Sequence, residues 1–146
     1  MEYRNFGEID WDVSALGFGA MRLPTNSDES SDINEEEAVE MIRYAIDNGV
    51  NYVDTAWPYH GEKSEELVAK ALKDGYREKT KVATKLPIWL VENEEDLDKY
   101  LDKQLERLEV DKIDFYLIHA LSEKRWQKCK DLNIMKWLKK VQKEGK

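Results

Sequence analysis

Four short apolar runs recur along the chain, each followed by a longer stretch with helical spacing. They are 15–19 (ALGFG), 50–53 (VNYV), 81–85 (KVATK) and 113–119 (IDFYLIH). This alternation constrains the fold more than any single motif does. Strands that alternate with helices of this length form βαβ units around a parallel sheet. The runs lack a clean polar–apolar alternation, as expected of strands covered on both faces. Right-handed crossovers put every helix on one side when such a sheet curls toward a barrel. The predicted fold class is α/β, with four βα units.

The segments between the runs carry helix signals. Asn34 can cap a first helix, with Glu37 completing a capping-box pattern, and Ala38, Met41, Ile42, Ala45 and Ile46 follow at helical spacing. Gly49 is a stop signal. Ser64 is predicted to cap a second helix, with Glu65 and Glu66 at its positive end and Gly75 past its end. Asn93 opens a third, whose face reads Leu97, Leu101, Gln104, Leu105 and Leu108, with Gln104 the single polar member. Residues 122–141 read as helix in two pieces, parted around 131–133. Residues 3–13 alternate around Gly7 and predict an N-terminal β-hairpin. No linker divides the chain, so 1–146 reads as one domain.

Composition narrows the partners. A hydrophobic content of 41% excludes a wholly disordered chain. The net charge of -8 argues against a nucleic-acid backbone or an anionic membrane as partner. A single cysteine, Cys129, rules out an internal disulfide and a cysteine metal cluster. No metal site is expected, and Cys129, at helical spacing from Trp126, reads as a buried packing residue. The N-terminus lacks the apolar core of a signal peptide, and no stretch nears the length of a membrane span. The reading is a soluble, cytoplasmic protein.

The chemistry collects at strand ends. Asp54, Lys85 and His119 each fall at the carboxyl end of a predicted strand, and Tyr59 lies in the loop after Asp54. In a βα barrel, strand ends converge on that face. An ammonium beside a phenol favours the phenolate, which makes a tyrosine usable as a proton donor. Asp54 would hold the Lys85 ammonium, and His119 would orient a substrate oxygen. Taken singly, each has a plainer reading: a cap for Asp54, solvated side chains for Lys85 and Tyr59, a packing residue for His119. Their joint placement favours catalysis. His60 reads as a loop or pocket-wall residue.

These residues lie in motifs that resemble the aldo-keto reductases. The matching stretches are LGFGAMRLP at 16–24, NYVDTAWPYHGEKSEELVAKAL at 51–72, VATKLP at 82–87 and LERLEVDKIDFYLIH at 105–119. The resemblance implies a (β/α)4 half of a TIM-type (β/α)8 barrel, preceded by the hairpin, and an enzyme using NADP or NAD. By motif, Asp54, Tyr59, Lys85 and His119 match the family's catalytic tetrad, with Tyr59 as general acid. Gly19, Ala20, Met21 and Asp54 fall where the nicotinamide end of the cofactor binds, and Trp57 and Trp89 in loops that shape the substrate pocket. The wording WPYH and the stretch HALSEKRWQKCKDL resemble the branch that often carries a C-terminal iron-sulfur domain, whose cysteines are not in this chain, so no cluster is expected here. Where the chain reaches VQKEGK, the family leads into its fifth strand. The implied function is reduction of a small carbonyl substrate, with weak cofactor binding and little activity from these residues alone. The competing reading is a non-catalytic binding or assembly module on the same scaffold. The edges and inner face of a half-barrel suggest a homo-oligomer, with a dimer favoured.

Overall fold

The computed structural model describes residues 1–146. It opens with an antiparallel hairpin of β1 (Tyr3–Phe6) and β2 (Ile9–Ser14). Gly7 turns between them at φ +64°, a left-handed conformation that glycine adopts without a Cβ penalty. There follow β3 (Phe18–Gly19), α1 (Glu35–Asp47), β4 (Tyr52–Asp54), α2 (Ser64–Ala71), β5 (Lys81–Leu86), α3 (Glu94–Leu108), β6 (Phe115–Ile118), α4 (Glu123–Asp131) and α5 (Ile134–Lys143). β3 to β6 form one parallel sheet in sequence order. The α/β class, the parallel βα units and the N-terminal hairpin are as the sequence predicts.

Successive strand residues point to opposite faces. Val53, Val82 and Leu86, all fully buried, face the helices and share a core with Ile42, Leu67, Leu97 and Leu101. Tyr52 and Phe115, the first residues of β4 and β6, lie on the other face and meet the hairpin. The Phe6 and Trp11 rings sit 5.2 and 5.8 Å from Phe115. Asn51 fastens the hairpin by accepting from Ser14 N–H at 2.8 Å and donating to the Asp12 carbonyl at 2.9 Å. The amino-terminal ends of the strands are thereby covered, and the polar strand ends lie at the opposite end of the sheet.

The helix starts follow the cap chemistry. The Asn34 side chain accepts from Glu37 N–H at 3.3 Å, and its amide donates to the Glu37 carboxylate at 3.0 Å. Asn93 accepts from Asp96 N–H at 3.1 Å, and Ser122 from Arg125 N–H at 3.3 Å. α4 and α5 part at Asn133, which has φ 50°. α5 docks on α3 through Trp137, whose indole N–H donates to Asp98 at 2.8 Å. That bond is the main reason the Asp98 carboxyl titrates below its ordinary range.

Several boundaries differ from the sequence reading. β4 begins at Tyr52 rather than at Val50, because Val50 N–H closes the end of α1 on the Ala45 carbonyl at 3.0 Å. Of the run 15–19, only Phe18 and Gly19 pair as strand. Ala15 N–H donates instead to the Glu2 carbonyl at 2.8 Å, and the Leu16 carbonyl accepts from Ser14 Oγ at 2.7 Å. Ser64 is not the cap of α2. Lys63 precedes the helix without a side-chain cap, and Ser64 turns inward as a buried residue of the first turn. α2 itself closes at Ala71, before Gly75.

Candidate active site

β4 and β5 are neighbours in parallel register, so their carboxyl ends deliver Asp54 and Lys85 side by side. Lys85 Nζ donates to Asp54 Oδ2 at 2.6 Å and to the Thr55 carbonyl at 2.8 Å. Tyr59 Oη lies 3.4 Å from the same ammonium. The Lys85 side chain is 14% exposed, so the ion pair sits in a partly desolvated place where charges interact strongly. His119 follows β6, and its N–H donates to the Leu86 carbonyl at 3.1 Å. Its ring meets the Tyr59 ring edge-on at 5.8 Å. Burial holds the His119 imidazole below its ordinary range, aided by the Lys85 and Arg125 charges and opposed by Asp54. His119 Nδ1 is buried without a hydrogen-bond partner. The three residues singled out at strand ends and Tyr59 of the loop therefore converge.

The loop that carries Tyr59 is held on both sides. His60, Gly61 and Glu62 all have left-handed φ, of 53°, 61° and 72°. Such a run needs fastening, because non-glycine residues resist it. His60, 6% exposed, accepts Leu23 N–H on Nε2 at 3.0 Å. The acceptor role of Nε2 puts the ring proton on Nδ1, which faces the Ser30 carbonyl. Ser64 Oγ donates to the Ala20 carbonyl at 2.9 Å and shares a hydrogen bond of 2.9 Å with Thr55 Oγ1. Ala20 N–H in turn donates to the Asp54 carbonyl at 2.8 Å. Glu62 pairs with Arg107 of α3 at 2.7 Å.

The residues after β3 lie beside Asp54, since Gly19 pairs with it in register. A Cβ at Gly19 would meet nothing within 4 Å, so the backbone there borders open space. Ala20 is fully buried, while Met21 is 54% exposed. Trp89 packs edge-on against His119 at 5.1 Å and adjoins the cluster. Trp57 does not. It is 8% exposed and turns toward α3, with Tyr100 edge-on at 4.9 Å and the Arg107 guanidinium 3.7 Å from its ring centroid. The sequence reading set it beside Trp89 in the pocket wall. The α3 residues instead offer it an aromatic edge and a cation.

Behind Lys85, on the helix side of the sheet, lies a buried polar network. Glu65, fully buried, accepts from Thr84 Oγ1 and Gln104 Nε2, each at 2.6 Å, and from Arg107 at 3.4 Å. Gln104 Nε2 also donates to the Lys85 carbonyl at 3.2 Å, and Gln104 Oε1 accepts from Tyr116 at 2.7 Å. Burial pushes the Glu65 carboxyl up, while Thr84, Gln104 and Arg107 draw it down. Sequence reasoning missed this network. Its one visible signal was Gln104 on an otherwise apolar helix face.

Comparison with known proteins agrees with the fold and the motifs. Residues 15–146 match the model of the aldo/keto reductase family. The chain is 34% identical to a probable aldo-keto reductase of Glycine max over 123 residues, covering 79% of this chain and 35% of that protein. It is 32% identical to an aldo-keto reductase of Bacillus subtilis over 127 residues, covering 82% of this chain and 38% of that one. Among solved structures, the holo form of an aldo-keto reductase from Bacillus halodurans superposes with a TM-score of 0.80 at 28% identity, over 99% of this chain and 47% of that one. A thermostable aldo-keto reductase solved with the inhibitor epalrestat superposes with a TM-score of 0.70 at 33% identity, over 85% of this chain and 44% of that one. The chain thus spans less than half the length of these relatives. From β3 onward, strand order, motif order and family match coincide, and the chain belongs to the aldo/keto reductase family, whose barrel it matches over the N-terminal half.

Proposed function

We propose that the cluster of Asp54, Tyr59, Lys85 and His119 reduces the carbonyl group of a small substrate, with Tyr59 as the proton donor. The observation that carries this reading is the Lys85 ammonium, held by Asp54 and the Thr55 carbonyl within 3.4 Å of Tyr59 Oη. As a carbonyl oxygen gains negative charge, Tyr59 Oη–H donates its proton to it. The Lys85 ammonium then stabilises the phenolate left behind, and Asp54 holds that ammonium in place at 2.6 Å. His119, whose titration lies below the ordinary range, is neutral at pH 7 and can orient the carbonyl oxygen without adding a second cation beside Lys85.

A reduced nicotinamide, when bound, supplies the hydride. Gly19, Met21 and Asp54 would border it, whereas Ala20, fully buried with its N–H and carbonyl already bonded to Asp54 and Ser64, can only hold the turn behind them. The fit rests on the open space over Gly19, which a side chain there would occupy, next to the Asp54 carboxylate. Of another protein with this fold, from Klebsiella pneumoniae, a complex with NADPH is known.

Tyr59→Phe keeps the ring and removes the donor. Because this chain spans 38% of the Bacillus subtilis relative, the assay uses the chain joined to the remaining strands and helices of that relative. Carbonyl-dependent oxidation of NADPH is expected to fall about 10²- to 10⁴-fold. A rate equal to that of the unsubstituted chimera refutes the role of Tyr59.

A further inference from the structure

Arg4, Arg43, Arg77 and Arg107 each face a carboxylate. Arg22 and Arg125 face none, and only Arg125 is both half-buried and held in place. Its Nη1 donates to the Ala120 carbonyl at 2.6 Å. Ala120 has φ 50°, which turns the chain from His119 into α4. The guanidinium carbon lies 5.1 Å from the centroid of the Trp89 ring. That ring reaches His119 at 5.1 Å, and His119 reaches Tyr59 at 5.8 Å. Tyr59, His119, Trp89 and Arg125 therefore form a continuous row that leads away from the proposed proton donor.

The two cations near His119 differ in their state. Lys85 is matched by Asp54 at 2.6 Å. Arg125 has no carboxylate partner, and its Nε and Nη2 donate to no protein group. A rigid guanidinium with a free two-donor edge matches a planar carboxylate. It is already ordered by a ring and a carbonyl, so little side-chain freedom is lost on binding. α4 carries Lys124, Arg125, Lys128 and Lys130 against Glu123 and Asp131, so this end of an otherwise acidic chain favours an anion.

We propose that Arg125 anchors a carboxylate on the substrate, so that the site takes carbonyl compounds that carry an organic acid group, with Trp89 as the platform between acid and carbonyl. This rests on the reductase reading of the Tyr59 cluster and names its substrate class. The carbonyl lies toward Tyr59 and His119, and the acid toward Nε and Nη2 of Arg125.

The test is a nitrogen-15 NMR titration of the 146-residue chain, following the Trp89 indole and the His119 ring. The probes are 4-formylbenzoate and its uncharged methyl ester, at fixed ionic strength. The acid is expected to bind about tenfold or more tightly than the ester, the worth of a hydrogen bond to a charged group. Arg125→Gln should bring that ratio close to one. Arg125→Lys should keep part of it, since the charge remains and the fork is lost. Comparable ratios for wild type and Arg125→Gln overturn the proposal, and so does a titration in which the acid shifts neither Trp89 nor His119. It also falls if Arg125→Gln weakens an NADPH-induced shift as much as the acid's, because the cation then serves the cofactor. Failure of the reductase reading is separable. A full rate in the Tyr59→Phe chimera sinks that reading, while the acid-over-ester ratio of the Tyr59→Phe chain stays at the wild-type value.

Discussion

Removing the buried carboxylate behind Lys85 is expected to be among the most damaging single changes outside the reacting cluster. Glu65→Ala takes away the acceptor shared by Thr84 and Gln104 at 2.6 Å each. Gln104 Nε2 retains the Lys85 carbonyl at 3.2 Å and Thr84 Oγ1 at 3.0 Å as acceptors. Thr84 Oγ1–H keeps none, and a buried donor left unpaired costs about 1–3 kcal/mol. Arg107 loses only a 3.4 Å contact and keeps Glu62 at 2.7 Å, so its charge is not stranded. That places the change at the lower end of the roughly 3–5 kcal/mol found when a buried ion pair is broken. We expect about 3 kcal/mol for Glu65→Ala. Glu65→Gln, which keeps an acceptor for Thr84 and Gln104, should cost about half as much. The assay is equilibrium urea unfolding followed by circular dichroism. With slopes of about 1–3 kcal/mol per molar urea, the alanine midpoint falls by 1 M or more. A second measurement isolates the network: Thr84→Val should cost less in the Glu65→Ala background than in wild type. A midpoint shift below about 0.5 M, or full additivity of the two changes, refutes the assignment of stability to this network.

His119 should titrate by NMR with a midpoint below 6.5, and the midpoint should rise on Lys85→Met, which removes a repelling charge. Because the folded value is depressed, the stability linked to this group is present above the unfolded value and is lost as pH falls through the folded one; a midpoint at or above 6.5 refutes the cause given. Ser64→Ala removes the donor to the Ala20 carbonyl and the partner of Thr55, and should lower stability by about 1–2 kcal/mol while speeding hydrogen exchange at Ala20 N–H. Unchanged exchange there shows that Ser64 does not hold the turn after β3.

Much of this architecture was legible because single residues carried local chemistry. Asn34, Asn93 and Ser122 accept from backbone N–H groups three residues ahead, and each marked a helix start from sequence alone. The convergence of Asp54, Lys85 and His119 was legible for a topological reason, since parallel strands present all their carboxyl ends on one side. What escaped the sequence reading depends on which way a side chain turns. Ser64 has the composition of a cap and instead reaches across to Ala20 and Thr55. Trp57 stands in the same loop as Tyr59 but turns to the helix layer, where Arg107 and Tyr100 receive it. Arg107 and Glu62 are ordinary surface types in sequence; only the left-handed turn at 60–62 brings them together. Val50 is as apolar as Val53, and its backbone bond to Ala45, not its side chain, keeps it out of the strand.

β5 carries polar anchors on both of its faces, on consecutive residues. Thr84 engages Glu65 and Gln104 on the helix side, and Lys85 engages Asp54 and Tyr59 on the other. A slip of this strand by one position would exchange the two faces, turning Lys85 toward the helices and putting Thr84 or Leu86 in its place, so that Asp54 loses its ammonium and Glu65 its hydroxyl donor. A slip by two would keep the faces but displace Lys85 by about 6.6 Å, beyond reach of either partner. Strands made of apolar residues alone have neighbouring alignments of similar energy. Here the same pair of residues that brackets the reacting cluster acts as a two-sided key, so misaligned pairings are rejected by charge as well as by shape.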